Sequence, residues 1–193
     1  MNHHFFAMLS RMKYIFRWSL MRNTRTENIC EHSQDVAVLV HALALLHNKR
    51  FGGNANIEHC VLHALYHDVP EILTGDLPTP VKYNNPDIQN AYRSLEAVSA
   101  NRLLEQLPDD LREEYRPFLL PQDAESVEYQ LVKAADKLAA LIKCIEELKA
   151  GNKEILHAKR STEKALKSMK LPAVDCFMKE FLPSFELTLD EQK

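Results

Sequence analysis

From Ala124 to Ala150 no proline or glycine interrupts the chain, and apolar residues recur at helical spacing. On a wheel turning roughly 100° per residue, Leu131, Ala134, Leu138, Leu141, Ile142 and Ile145 form one stripe. Val132, Ala139 and Ala140 populate the other side, around Asp136. A helix that is apolar on most of its circumference belongs inside a protein. The spacing therefore predicts a long central helix that stops at Gly151, a natural C′ residue. A central helix needs others around it, and the remaining sequence supplies them. Asn28 and Glu31 stand at capping-box spacing before an apolar-periodic run to Leu46. The turn FGGN (51–54) follows, and a second helix is expected from near Asn56 through IEHCVLHALYHDVPEIL. TGDLPTPVKYNNP holds three prolines and a glycine in thirteen residues and reads as loop. Pro86, capped by Asn85, opens a helix to Leu107. Shorter helices are expected after Pro108-Asp109, over 152–169 and over 172–182. No strand-period alternation or internal repeat stands out. The expectation is an all-α, multi-helix bundle forming a single domain over residues 1–193.

Composition removes several function classes. The chain has only 4 Gly, with neither a Gly-rich phosphate loop nor a dinucleotide-binding fingerprint. A net charge of −3 argues against non-specific duplex binding, so no nucleic-acid partner is expected. A small anionic substrate needs only a few local cations and stays open. Cys30, Cys60, Cys144 and Cys176 are far apart, which suits buried apolar side chains in a reducing cytoplasm. Near the N-terminus, Arg11, Lys13 and Arg17 break every apolar run, so neither a signal peptide nor a membrane span is expected there. Phe5, Leu9, Met12 and Phe16 make one helical stripe, read as packing on the domain rather than on a membrane.

Three places put metal-binding side chains in unusual settings: Glu31-His32 in a helix's opening turn, His67-Asp68 followed by Glu71, and Asp136 in the central helix. Asp136 lies opposite the main apolar stripe and allows a solvated face; the apolar residues around it allow a buried carboxylate, which requires a cation or metal partner. His67 and Glu71 share a helix face at i, i+4. Adjacent residues point about 100° apart on a helix, so His67 and Asp68 converge only if the helix end distorts. Pro70 gives a cause, because it has no N–H for the carbonyl of Tyr66. His63 with His67 is a rival metal pair. His41, His47 and His59 read as ordinary buried or surface histidines.

His32, His67-Asp68 and Asp136, in that order and each on a helix, resemble the H…HD…D signature of the HD-domain metal-dependent phosphohydrolases. The stretches RWSLMRNTRTENICEHS (17–33), HDVPEILTGDLPTPVK (67–82) and KAADKLAALIKCIEEL (133–148) are similar to the bacterial HD-domain 5′-deoxynucleotidases. This resemblance implies an HD-domain bundle in which His32, His67, Asp68 and Asp136 hold one divalent ion. Cobalt is the ion associated with the family; mixed N/O ligation suits manganese and zinc as well. It implies hydrolysis of deoxyribonucleoside 5′-monophosphates by a cytoplasmic homodimer. Glu71 would handle a proton and Arg17 would orient the phosphate. Thr79, Pro80, Val81 and Lys82 would lie beside the substrate, as would His32. Asp76 would accept from the 3′-hydroxyl, and Trp18 would fill the space of a 2′-hydroxyl. Val69-Pro70 departs from the small or flexible pair expected there and could turn Glu71 aside. Two other readings stay open: an HD phosphohydrolase acting on a triphosphate, a guanosine polyphosphate or a cyclic dinucleotide, and a non-catalytic nucleotide-binding scaffold.

Overall fold

The computed structural model describes residues 2–82, 84–120 and 123–193, and among these no strand is present. The α-helices are α1 (Phe5–Leu9), α2 (Ile29–Arg50), α3 (Ile57–Tyr66), α4 (Glu71–Thr74), α5 (Thr79–Lys82), α6 (Pro86–Leu104), α7 (Asp109–Leu119), α8 (Val127–Lys149), α9 (Leu156–Ser168) and α10 (Pro172–Glu180). Single turns of tighter 3₁₀ helix follow α1, precede α9 and close the C-terminus.

The caps expected from sequence are in place. Asn28 Oδ1 accepts from the N–H groups of Cys30 and Glu31, both at 3.0 Å, and the Glu31 side chain reaches back to the Asn28 N–H. Asn85 caps α6 through Ile88 N–H. Gly151 takes φ +86°, where a Cβ would be strained, and α8 ends beside it. Two elements differ from expectation. The segment after Asn56 is not one helix to residue 73, because α3 stops at Tyr66 and a turn precedes α4. The proline-rich stretch is not all loop, since Pro78 O accepts from the N–H groups of Val81 and Lys82 and closes the helical turn α5. Proline at the first positions of a helix loses no hydrogen bond, which is why this composition tolerates a turn.

α8 is buried as its wheel requires. Leu131, Ala134, Leu138, Leu141 and Ile145 are sequestered on one side, and Val132 and Ala139 on the other. They pack with Val36, Val40 and Leu43 of α2, Cys60 and Ala64 of α3, and Val174 and Phe177 of α10 in the larger of two cores. The smaller core gathers Phe5, Met12, Ile29, Val69, Ile72, Leu103, Leu104, Leu107 and Leu119. The N-terminal stripe divides: Phe5 and Met12 are buried there, but Phe16 is exposed. α2 is long and apolar enough to cross a membrane, yet most of its apolar window is buried inside the protein, as a core helix requires.

The two cores meet at the candidate metal residues. His32 lies between Ile29 of the smaller core and Val36 of the larger, and His67 lies between Ala64 of the larger and Val69 of the smaller. Leu138, fully buried beside Asp136, should carry a large share of stability. Leu138→Ala is expected to lower the unfolding free energy by about 2–5 kcal/mol. Val38→Ala, at an exposed position of α2, should stay within about 0.5 kcal/mol; urea denaturation of both variants measures the contrast.

Candidate active site

The capping box starts α2 at Ile29, and the carbonyl of Asn28 accepts the His32 N–H at 3.1 Å. His32 is thereby fixed in the first turn, with its side chain fully buried. At the end of α3, Pro70 has no N–H to offer Tyr66 O. That carbonyl accepts instead from Val69 N–H at 3.1 Å, and Asp68 O takes the N–H of Glu71 at 3.0 Å. Bonds spanning three residues tighten the chain, and this distortion lets His67 and Asp68 converge. His67 Nε2 lies 3.2 Å from Asp68 Oδ1, and Asp68 Oδ2 lies 3.6 Å from His32 Nε2.

Donor atoms of His32, His67 and Asp68 lie within 4.8 Å of one another, an arrangement suited to a metal ion. Asp136 falls outside that three-residue set and joins it through His32, with Oδ1 3.1 Å from Nε2. The donor chemistry fits a divalent ion. His67 Nδ1 faces the carbonyl of Ala64 at 2.7 Å, which assigns the proton to Nδ1 and leaves the Nε2 lone pair free. Nε2 is buried and has no hydrogen-bond partner. Burial holds the His67 imidazole below its ordinary pKa against the pull of Asp68 and Asp136, so the ring is neutral and able to ligate. Burial also opposes ionisation of Asp136, but the hydrogen bond and charge of His32, with Lys133, hold its carboxyl well below the usual range. His63 does not join this set. Its ring packs on Tyr129 and burial pushes its pKa down to about 3, and the donor atoms that the described residues bring together are those of His32, His67 and Asp68, not the His63–His67 pair.

The imidazole side chains of His32 and His67 are 0% and 4% exposed, whereas those of Asp68 and Asp136 keep 14% and 25%. Arg17 overhangs them. Its Nη1 lies 3.2 Å from Asp68 Oδ2, and its Nε donates to Glu27 Oε2 at 3.0 Å. The same Glu27 oxygen accepts the indole N–H of Trp18 at 3.0 Å. Trp18 has φ +60°, the left-handed region, a conformation that costs a bulky residue about 1–3 kcal/mol and persists only where its surroundings enforce it.

Pro70 does not turn Glu71 aside. Glu71 is 5% exposed, with one carboxylate oxygen buried and unpartnered. Burial, reinforced by the charges of Asp68 and Asp76, raises its pKa well above the ordinary value. Its surroundings thus favour the protonated form over the carboxylate. Gly75, at φ +73°, ends α4 and redirects the chain to Asp76. Burial raises the pKa of Asp76, while Arg17 and Lys82 draw it down. Lys82 is committed elsewhere: its Nζ donates to Glu96 at 2.8 Å and lies 4.5 Å from the Tyr92 ring centroid. Thr79, Pro80 and Val81 are exposed on α5.

Two residues escaped the sequence reading. Glu27 holds both Arg17 and Trp18, yet a lone glutamate ten residues along gives no periodic signal. Lys133, one turn before Asp136, has its ammonium form favoured by Asp136 against the effect of burial. Its i, i+3 spacing in KAADK was the available sign.

A helical bundle with paired imidazoles and carboxylates at the meeting of its cores is the arrangement of an HD-type metal-dependent phosphohydrolase. The family model described as 5′-deoxynucleotidase YfbR-like matches residues 4–185. A 5′-deoxynucleotidase of Vibrio atlanticus (strain LGP32) is 53% identical over 188 residues, covering 97% of each chain. The crystal structure of an HD-domain phosphohydrolase from Listeria innocua superposes with a TM-score of 0.83 at 24% identity, over 96% of this chain and 90% of that one. A cyanophage S-2L HD phosphohydrolase bound to dA and one catalytic Zn²⁺ gives a TM-score of 0.66 at 21% identity, over 94% and 96%. The chain belongs to the YfbR-like 5′-deoxynucleotidase family, and it is an enzyme of the phosphoric monoester hydrolase class.

The raised Glu71 pKa fixes the sign of a stability effect. Above its ordinary value of 4.5 the folded state keeps a proton that the unfolded state has released. Stability contributed by this group is therefore present at low pH and lost as pH rises through the folded-state pKa. Glu71→Gln should melt progressively higher than the parent as pH is raised from 5 to 8. Thermal melts of metal-free protein across that range measure the difference, and a constant offset would contradict the assignment.

Proposed function

We propose that the chain hydrolyses deoxyribonucleoside 5′-monophosphates to deoxyribonucleoside and phosphate, with one divalent ion held by His32, His67, Asp68 and Asp136. The observation that carries this reading is the buried, unpartnered Nε2 of His67 facing Asp68 beside His32. A buried neutral imidazole nitrogen with no hydrogen-bond partner is costly unless a ligand bond satisfies it. Cobalt is the ion we assign. When bound, such an ion supplies Lewis-acid activation of water and of a phosphoryl oxygen.

The protein's own groups divide the remaining work. Arg17 has five N–H donors, of which those on Nε and Nη1 face Glu27 and Asp68; the others are available to orient the phosphate. Held this way, the guanidinium meets developing negative charge without reorganising. Glu71, protonated by its surroundings, donates to the leaving 5′-oxygen as the ester bond breaks. Asp76 accepts from the 3′-hydroxyl. Trp18 covers the 2′ carbon, and its indole N–H is already satisfied by Glu27, so its apolar face is what the sugar meets. Thr79, Pro80, Val81 and Lys82 border the substrate on the α5 side. The working form is a homodimer in the cytoplasm.

The charge present favours a monophosphate over a triphosphate. Arg17 and Lys133 are the cations electrostatically linked to the metal residues, and Lys82 is paired to Glu96.

A panel of 5′-deoxyribonucleotides and ribonucleotides, assayed with each divalent metal in turn, should show phosphate release confined to the deoxy series and abolished by complete chelation. Activity that survives chelation would overturn the metal assignment. Glu71→Gln should lower kcat by about 10²–10⁴-fold, and full activity in that variant would remove its proton-transfer role. Trp18→Ala should raise ribonucleotide turnover relative to deoxyribonucleotide turnover; an unchanged ratio would show that Trp18 is not the sugar filter.

A further inference from the structure

Residues 15–29 form a closed loop. Ile29 N–H donates to Ile15 O at 3.0 Å, Arg17 N–H to Glu27 O at 2.9 Å, and Phe16 and Asn28 pair as an antiparallel bridge. The clamped end carries Arg17, whose Nη1 lies 3.2 Å from Asp68, with Glu27 and Trp18 bonded beside it. The far end lies on the last third of α8, where the structure holds a buried polar cluster. Glu147, Lys143 and Asn152 are 1%, 5% and 3% exposed. Most of their side-chain hydrogen bonds go to the loop or to one another, with Asn152 Oδ1 also accepting from Glu154 N–H at 3.3 Å. The Glu147 carboxylate accepts Thr24 N–H at 2.9 and 3.1 Å and Arg25 N–H at 3.2 Å. It also accepts Lys143 Nζ at 2.6 Å and Asn152 Nδ2 at 2.9 Å. Lys143 donates to Arg25 O, and Asn152 donates to Arg22 O at 2.7 Å.

Such a cluster is not required for folding as such. Well-packed apolar residues fill a helix–loop contact at least as stably as a buried ion pair does. What the cluster adds is direction, because the backbone of Arg22, Thr24 and Arg25 is held at named atoms and no sliding along α8 is tolerated. The strain at the other end fits this. Trp18 is held at positive φ, while Trp18 O accepts from Met21 N–H at 3.0 Å and from Asn23 Nδ2 at 3.2 Å. The tether at Arg22–Arg25 is therefore transmitted through Asn23 and Met21 to the tryptophan. Asp136 and Glu147 lie on one unbroken helix, about 16 Å apart at 1.5 Å per residue.

We propose that Glu147, with Lys143 and Asn152, is a positioning site that sets Arg17 and Trp18 against the metal residues and so determines sugar selectivity from the far end of α8. The link to selectivity rests on the function proposed above; the mechanical tether does not. Trp18 is the chain's one tryptophan, so its fluorescence reports the loop directly. Glu147→Gln keeps the shape but turns one acceptor into a donor facing N–H groups. Its Trp18 emission should move to the red, with stronger acrylamide quenching. The KM for a deoxyribonucleoside 5′-monophosphate should rise, and the deoxy-to-ribo ratio of kcat/KM should fall, by about tenfold, the scale of a small misplacement. Metal content should stay at the parent level. Asn152→Ala removes a smaller part of the cluster and should shift both readouts in the same direction by less. A lowered melting temperature with parental quenching, KM and sugar ratio in both variants would overturn the proposal. If Glu147→Gln does not fold, parental values in Asn152→Ala overturn it alone. An unmodified protein that hydrolyses no nucleotide would overturn the proposed function, while quenching in the two variants would still decide the tether.

Discussion

The packing of α2 against both α3 and α8 is the constraint on which the site depends. These helices meet through Ala134, Ala135, Leu138, Ala44, Val40, Cys60 and Ala64, all fully buried. Alanine and cysteine at the contacts let the helix backbones approach closely, so polar side chains from three helices can touch. His32, His67 and Asp136 reach one another because the apolar residues beside them leave little separation to span. Swapping one of these small residues for a larger one would move an imidazole or a carboxylate, and a metal site tolerates displacements of only a few tenths of an ångström.

Much of this was legible in the sequence, because periodicity and caps are local properties. The two-sided apolar wheel of α8, the Asn28–Glu31 box and the Gly151 stop need no knowledge of neighbours. The order His32, His67-Asp68, Asp136 was legible too, through resemblance. What could not be read was set by tertiary contact. The missing N–H at Pro70 announces a distorted helix end, but where the chain goes after Tyr66 depends on Val69 entering the smaller core. Glu27 is one charged residue among many until the loop closes and brings Arg17 and Trp18 to a single oxygen. Lys143 and Glu147 look like an exposed i, i+4 pair on a helix surface, and only the returning chain at 22–25 buries them. The pairing of Lys82 with Glu96 depends on where α6 lies against α5, which no local pattern encodes.

The electrostatics of the site follow from burial acting on groups with different partners. Asp68, Asp136 and Glu71 are all carboxyls removed from water, and burial alone would neutralise each. His67, His32 and Arg17 face Asp68, and His32 and Lys133 face Asp136, so both stay ionised. At Glu71, burial and the charges of Asp68 and Asp76 outweigh Arg17 and Lys82 and favour the protonated form. One buried cluster thus favours ionised Asp68 and Asp136 beside a protonated Glu71, the division that the proposed mechanism uses. The separation needs no special residue chemistry, only the placement of Arg17, His32 and Lys133 on one side of Asp68.

That placement also explains why Arg17 sits on a tethered loop rather than on a helix. Arg17 stands among the carboxyls of Asp68, Asp136, Glu27 and Asp76, which give a phosphate little net attraction. A divalent ion held as proposed would reverse that; Asp68 would then be shared between ion and guanidinium, and Arg17 would lose part of its hold on it. A guanidinium that depended on Asp68 alone would be free to drift when the site became competent. Glu27 keeps Arg17 in place through Nε, and Glu27 is in turn kept by a loop closed at Ile15–Ile29 and tied to α8. The orientation of Arg17 thus does not rest on Asp68 alone, as the phosphate-orienting role proposed for it requires.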